Sequence, residues 1–121
     1  MLTAGQYLND IKAARKGLDD FKPLLALNED RGYEAVRVEL RKAPVSGIRK
    51  ACSKLITLLP EGSATAKAKT KIYDDIKKEL GQLDDGCREG VSSRPDLLAI
   101  VEAMQANLDA MGTGLGVTAA E

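Results

Sequence analysis

Leu97, Val101, Met104, Leu108 and Met111 follow one another at intervals of four, three, four and three residues. That rhythm is the period of an α-helix with one apolar stripe; a half-buried strand alternates every second residue and does not show it. The same spacing runs through most of the chain. It recurs at Tyr7, Leu8, Ile11, Ala14, Leu18, Phe21 and Leu25, at Tyr33, Val36, Leu40, Ile48, Ala51, Leu55 and Leu58, and at Ile72, Ile76, Leu80, Leu83 and Cys87. Four such stripes must be buried against one another, because a one-sided helix exposes its apolar face to water when alone. With a single Phe and no Trp among 121 residues, the core falls to Leu, Ile, Val, Ala and Met, the usual filling of a helical bundle.

The spacing predicts four helical segments. The first covers residues 4–27, with Thr3 and Gln6 as a capping box and Pro23 kinking it near its end. The second follows the turn Asn28-Glu29-Asp30-Arg31-Gly32 and continues through Pro44 and Gly47 as one kinked helix, with a true break there as the alternative. Pro60-Glu61-Gly62-Ser63 ends it. The third begins near Thr65 and weakens at Gly86 and Gly90. The fourth opens at Arg94-Pro95 with Ser93 as its cap and stops at Gly112. Short connections make sequential neighbours antiparallel. The expected architecture is therefore all-α, an up-down-up-down four-helix bundle over residues 1–111, followed by a flexible Gly- and Ala-rich tail over residues 112–121. No polar group is expected at a core position.

Several kinds of chemistry are excluded. The chain has no His. That removes the commonest general base, the Ser–His and Cys–His arrangements, every His-containing metal site, and the Glu-x-x-His pairs of a di-iron bundle. No catalytic residue, cofactor or metal ligand set is assigned. Asp19-Asp20, Asp74-Asp75 and Asp84-Asp85 are adjacent in sequence, so on a helix they point about 100° apart, and they read as solvated faces. Gly112-x-Gly114-x-Gly116 follows a helix and leads to no further element, so it lacks the context of a phosphate loop. The Met residues of the fourth segment keep the period of the core stripe and read as core.

Charge is the informative feature. Lys and Arg number 18, as do Asp and Glu, which disfavours nucleic acid as the partner. Within that balance, residues 31–71 hold ten basic and three acidic residues, an excess of seven, and the rest of the chain carries the opposite excess. Arg37 and Arg41, like Lys50 and Lys54, are four residues apart and so share a helix face. Arg37, Arg41, Lys42, Arg49, Lys50 and Lys54 form a candidate docking patch for an acidic protein surface. Such patches set orientation and on-rate and fade with salt. A carrier of a small apolar ligand, bound between kinked helices, is the alternative of a different class.

Two cysteines make one disulfide the simple guess in an oxidising compartment. Helix geometry points the other way. Cys52 lies near the end of the second segment and Cys87 far from the start of the third. In an antiparallel hairpin they stand ~20 Å apart along the axis, whereas a disulfide needs Cα atoms within ~7 Å. Two unpaired thiols are expected.

The stretch Tyr33 to Leu59, with its Arg- and Lys-rich, Leu-punctuated run, resembles the long second helix of the PsbQ-like extrinsic subunits of photosystem II, and its algal and diatom branch in particular. Tyr7-Leu8-Asn9-Asp10-Ile11 is similar to the start of that family's bundle. The likeness covers about residues 5–111. Higher-plant members carry a Pro-rich N-terminal arm that is not read in these residues. The resemblance implies a chloroplast thylakoid-lumen protein in mature form, its targeting segment removed. It further implies docking on the photosystem II core and other extrinsic subunits, peripheral to the membrane and not spanning it. The function implied is support of oxygen evolution by shielding the manganese cluster and retaining ions. The chain would then hold no cofactor, catalyse nothing, and be a monomer when free.

Overall fold

The computed structural model describes residues 4–26, 30–89 and 94–113. These residues form α1 (Ala4–Leu18), α2 (Phe21–Ala26), α3 (Asp30–Leu40), a single 3-10 turn (Val45–Gly47), α4 (Ile48–Thr57), α5 (Ala64–Glu89) and α6 (Arg94–Met111), with no strand among them. The all-α class stands. The expected count of four helices does not, because five helices have ten or more residues and α2 adds six.

Both extra breaks have one cause. A proline has no N–H for the carbonyl four residues back, and its ring crowds that carbonyl. The carbonyl opposite Pro23 belongs to Asp19, and α1 ends one residue earlier, at Leu18. The carbonyl opposite Pro44 belongs to Leu40, the last residue of α3. Each break therefore sits one turn upstream of its proline, where tighter bonds take over. Asp19 and Asp20 donate to the Lys16 and Gly17 carbonyls, and Arg41 and Lys42 donate to those of Val38 and Glu39. The expected kink at Pro23 is corrected to a full interruption, and at Pro44 the kink gives way to the alternative, a true break.

The short α2 could not persist alone, since isolated helices need more than about twelve residues. It is held by Phe21 and Leu25, both fully buried, between α3 and α6. The single Phe of the chain thus anchors its least autonomous helix. Gly17 lets α1 meet the 3-10 turn closely. A Cβ there would stand 3.1 Å from Pro44 Cγ and 3.2 Å from Val45 Cγ2, tighter than ordinary packing. Gly62, with φ of 73°, makes the turn between α4 and α5, and Ser63 Oγ accepts the Ala66 N–H to cap α5.

α5 packs on α3, α4 and α6, while α6 packs on α1, α2 and α5, and α1 packs on α4. The predicted stripe of α6, Leu97, Val101, Met104, Leu108 and Met111, is fully buried, which places the methionines in the core. Each such side chain contributes roughly 1.5–3 kcal/mol by leaving water.

The core is not free of polar groups as expected. Gln105 and Lys69 are buried, and both satisfy helix ends. Gln105 Nε2 donates to the Arg15 carbonyl (3.0 Å), in the last turn of α1, and to Asp19 Oδ1 (2.8 Å). Lys69 Nζ donates to the Ala110 and Thr113 carbonyls (2.6 and 2.5 Å) at the C-terminus of α6. Carbonyls at a helix end lack intrahelical donors, and these two side chains supply them from a neighbouring helix. Thr3 and Ser93, expected as caps, and the tail beyond Thr113 lie outside the described residues.

Candidate functional site

The six candidate cations are split by the interruption at Pro44. Arg37 and Arg41 lie on α3, Lys42 follows it, and Arg49, Lys50 and Lys54 lie on α4. The two groups meet different surroundings.

Arg37 and Arg41 face α5, where Asp84 receives both. Arg37 Nε donates to Asp84 Oδ1 at 3.3 Å. Arg41 grips the same carboxylate with Nη1 to Oδ1 at 3.2 Å and Nη2 to Oδ2 at 3.3 Å. Arg41 Nη1 also donates to the Arg37 carbonyl at 2.7 Å, so its guanidinium is held at three points. Asp84 is therefore not part of a solvated face, as its pairing with Asp85 suggests in the sequence. Its side chain is 26% exposed. Burial opposes its ionisation, but the hydrogen bonds from Arg41 and Arg37 outweigh that and hold its carboxyl below the usual 3.8. Asp19 stays exposed, as expected, but hydrogen bonds from Gln105 first and Lys22 second hold its carboxyl low. Lys42 pairs with Glu39 one turn back, at 3.5 Å on the surface.

α4 is different. Its buried residues are Ile48, Ala51, Cys52 and Leu55, which turns Arg49, Lys50 and Lys54 to solvent. None of the three makes an ion pair with a described residue, and the ten residues of α4 include no acid. Arg49 borders α5, in a cleft with Leu40, Arg41, Leu80, Gly81 and Asp84. Lys50 borders α1, beside Asp10, Ala13 and Pro44. The structure thus keeps three of the six cations free and ties three to the chain's own carboxylates.

Of the remaining basic residues in the central run, Lys69 is turned inward as described, and burial lowers its pKa from 10.5. Lys71 approaches Asp75 at 3.8 Å.

Both cysteines are free and buried, Cys52 in α4 and Cys87 in α5. Desolvation pushes the Cys52 thiol up to about 12. Desolvation first, and then the Asp84 charge, push Cys87 up to about 11. Such thiols are poor nucleophiles. Among the described residues no group of three His, Cys, Asp or Glu side chains is placed to hold a metal ion.

A groove of about 550 Å³ opens to solvent at the turn between α4 and α5, lined by Ile56, Thr57, Leu59, Ala66, Lys67 and Thr70 among others. No helix among the described residues is long and apolar enough to cross a membrane. Comparison of the chain with protein-family models, with curated proteins and with solved structures finds no match.

Proposed function

We propose that this chain is a non-catalytic subunit that docks on an acidic protein surface through the cationic face of α4. The observation that carries the reading is the trio Arg49, Lys50 and Lys54, exposed and unpaired on an acid-free helix of a chain with no net charge. Cations that serve only the fold tend to find internal partners, as Arg37 and Arg41 do with Asp84. Unpaired ones keep their field for a partner, speeding encounter and fixing orientation.

The assembly is the lumenal side of photosystem II, with its core and other extrinsic subunits. There the bound chain supports oxygen evolution by shielding the manganese cluster and retaining ions, within the thylakoid lumen. What supports this identification is the resemblance of residues 33–59, which contain the α4 face, to the second helix of the PsbQ-like subunits. In the same reading α1 with α2, and α3 with α4, act as two interrupted rods beside α5 and α6, which makes the architecture an up-down-up-down four-helix bundle.

The test is co-sedimentation with photosystem II membranes stripped of their extrinsic subunits. Binding is expected at ~10 mM salt, where the Debye length is about 30 Å, and lost at ~1 M, where it is about 3 Å. Lys50→Glu combined with Lys54→Glu should abolish it, and rebinding of the wild type should raise oxygen evolution. Binding that ignores both salt and charge reversal refutes the reading.

A further inference from the structure

We propose that the cleft between α3, α4 and α5, lined by Leu40, Arg41, Arg49, Leu80, Gly81 and Asp84, is a seat for a carboxylate presented by an acidic protein partner. This deepens the docking reading and rests on it.

The chemistry of the cleft is unlike that of the rest of the surface. Two arginines, Arg41 and Arg49, line it with the single carboxylate of Asp84, which Arg37 also reaches from beyond the lining, so the three arginines outnumber the carboxylate by two charges. Guanidiniums present paired N–H donors in a fixed plane that matches a carboxylate, which an ammonium cannot do. Two of the three are already ordered. Arg41 is fixed by Asp84 and by the Arg37 carbonyl, and Arg37 is fixed by Asp84 through Nε. A partner carboxylate meeting this array orders only Arg49 anew, and preorganisation of that kind favours binding. Leu40 and Leu80 form apolar flanks that limit competing water and strengthen charge-assisted bonds.

Gly81 makes the cleft available. It lies inside α5, where glycine is unfavourable relative to any unbranched residue. No close packing demands it, since a Cβ built there meets nothing within 4 Å. The space a side chain would occupy is the cleft itself, about 190 Å³. A purely structural Arg–Asp tie between α3 and α5 would gain from a leucine at this position. The open floor is what a seat requires.

Gly81→Leu is the decisive variant, because it fills the cleft, changes no charge, and improves helix propensity. The probe is an N-acetylated hexaglutamate peptide titrated into the 15N-labelled protein while the arginine Nε–Hε resonances are followed. Saturable shifts at Arg41 and Arg49 are expected, with affinity at least ten-fold weaker in Gly81→Leu and in Arg49→Gln at unchanged helicity. Equal affinity in both variants overturns the proposal. So does saturation of those resonances by inorganic phosphate alone with no response to the peptide, which would make the cleft a site for free phosphate. The two proposals fail separately. If stripped membranes bind wild type and Gly81→Leu alike, the seat is wrong and the docking reading stands. If the peptide seats in the cleft and the membranes bind nothing, the seat stands and the photosystem II reading fails.

Discussion

Replacing Asp84 by Asn keeps the shape of the side chain and removes the charge on which Arg37 and Arg41 converge. Asp84 accepts three hydrogen bonds, two at Oδ1 and one at Oδ2. Asn retains one acceptor oxygen and turns an NH2 donor toward Arg41, so the two-point grip is lost. Exposed ion pairs contribute about 0.2–1 kcal/mol each. Here the carboxylate is three-quarters covered and the grip of Arg41 is forked, which puts the two pairs together at about 1–2 kcal/mol. With an unfolding entropy of about 2.1 cal/mol/K per residue, a 121-residue chain loses roughly 4–8 °C in Tm for that change. The pH dependence supplies a second check. The folded state holds the Asp84 carboxyl below its usual 3.8, so its contribution is complete above the unfolded value and is lost as pH falls through the folded one. Differential scanning calorimetry of wild type and Asp84→Asn should show a constant Tm gap from pH 7 down to about 5, closing below about 4. A gap under ~1 °C at pH 7, or one that persists unchanged to pH 2, refutes the assignment of Asp84 as the tie between α3 and α5.

Three further outcomes follow from the buried polar groups. Gln105→Leu strips the Arg15 carbonyl of a donor from α6 and should lower stability by about 1–2 kcal/mol in urea, with little change in m. Lys69→Met removes both bonds to the end of α6 and should raise amide hydrogen exchange there, at Met111 and Gly112, well before it affects α3; uniform exchange across the protein would contradict that placement. The unfolded, unreduced protein should present two reactive thiols per chain, whereas the native protein at pH 8 should react far more slowly, because burial keeps Cys52 and Cys87 protonated. A count of zero thiols after unfolding would refute the free cysteines.

The apolar period identified most of the core directly, because burial is what the period encodes. All five stripe residues of α6, and Ile76, Leu80, Leu83 and Cys87 of α5, are buried. The prolines were visible too, but their reach was misjudged. A proline blocks the carbonyl four residues earlier, so Pro23 and Pro44 act at Asp19 and Leu40, and the following segment restarts as a helix of its own. A periodic stripe continues across such a break, since α1 with α2, and α3 with α4, still turn the same face inward, and periodicity alone does not register the interruption. Gln105 was hidden for a related reason. It directly follows the stripe residue Met104, and what buries it is the end of α1, which exists only because Pro23 stops the helix.

Which of the six candidate cations the fold ties up was not legible from composition, because it is a matter of register. Residues 31–71 look uniformly basic when charges are summed along the chain, because summing ignores what lies across the hairpin. The turn between α4 and α5 centres on Pro60 and Glu61, and antiparallel helices pair residues equidistant from it. Arg37 stands 23 residues before Pro60, and Asp84 stands 23 residues after Glu61. The same arithmetic brings Leu40 and Arg41 beside Leu80 and Gly81, the walls of one cleft. It also sets Cys52 and Cys87 far out of register, which is why geometry argued correctly against pairing them. Applied to charges as it was to thiols, the register divides the cations before any coordinates are known. Arg37 and Arg41, opposite Asp84, tie helices together, and Lys50 and Lys54, opposite an acid-free start of α5, are left facing outward, while Arg49, just past the interruption at Pro44, departs from that register and borders the cleft beside Asp84. A function that works through charge belongs to the second group, and the ordered guanidiniums of the first serve it only where the cleft over Gly81 leaves them reachable.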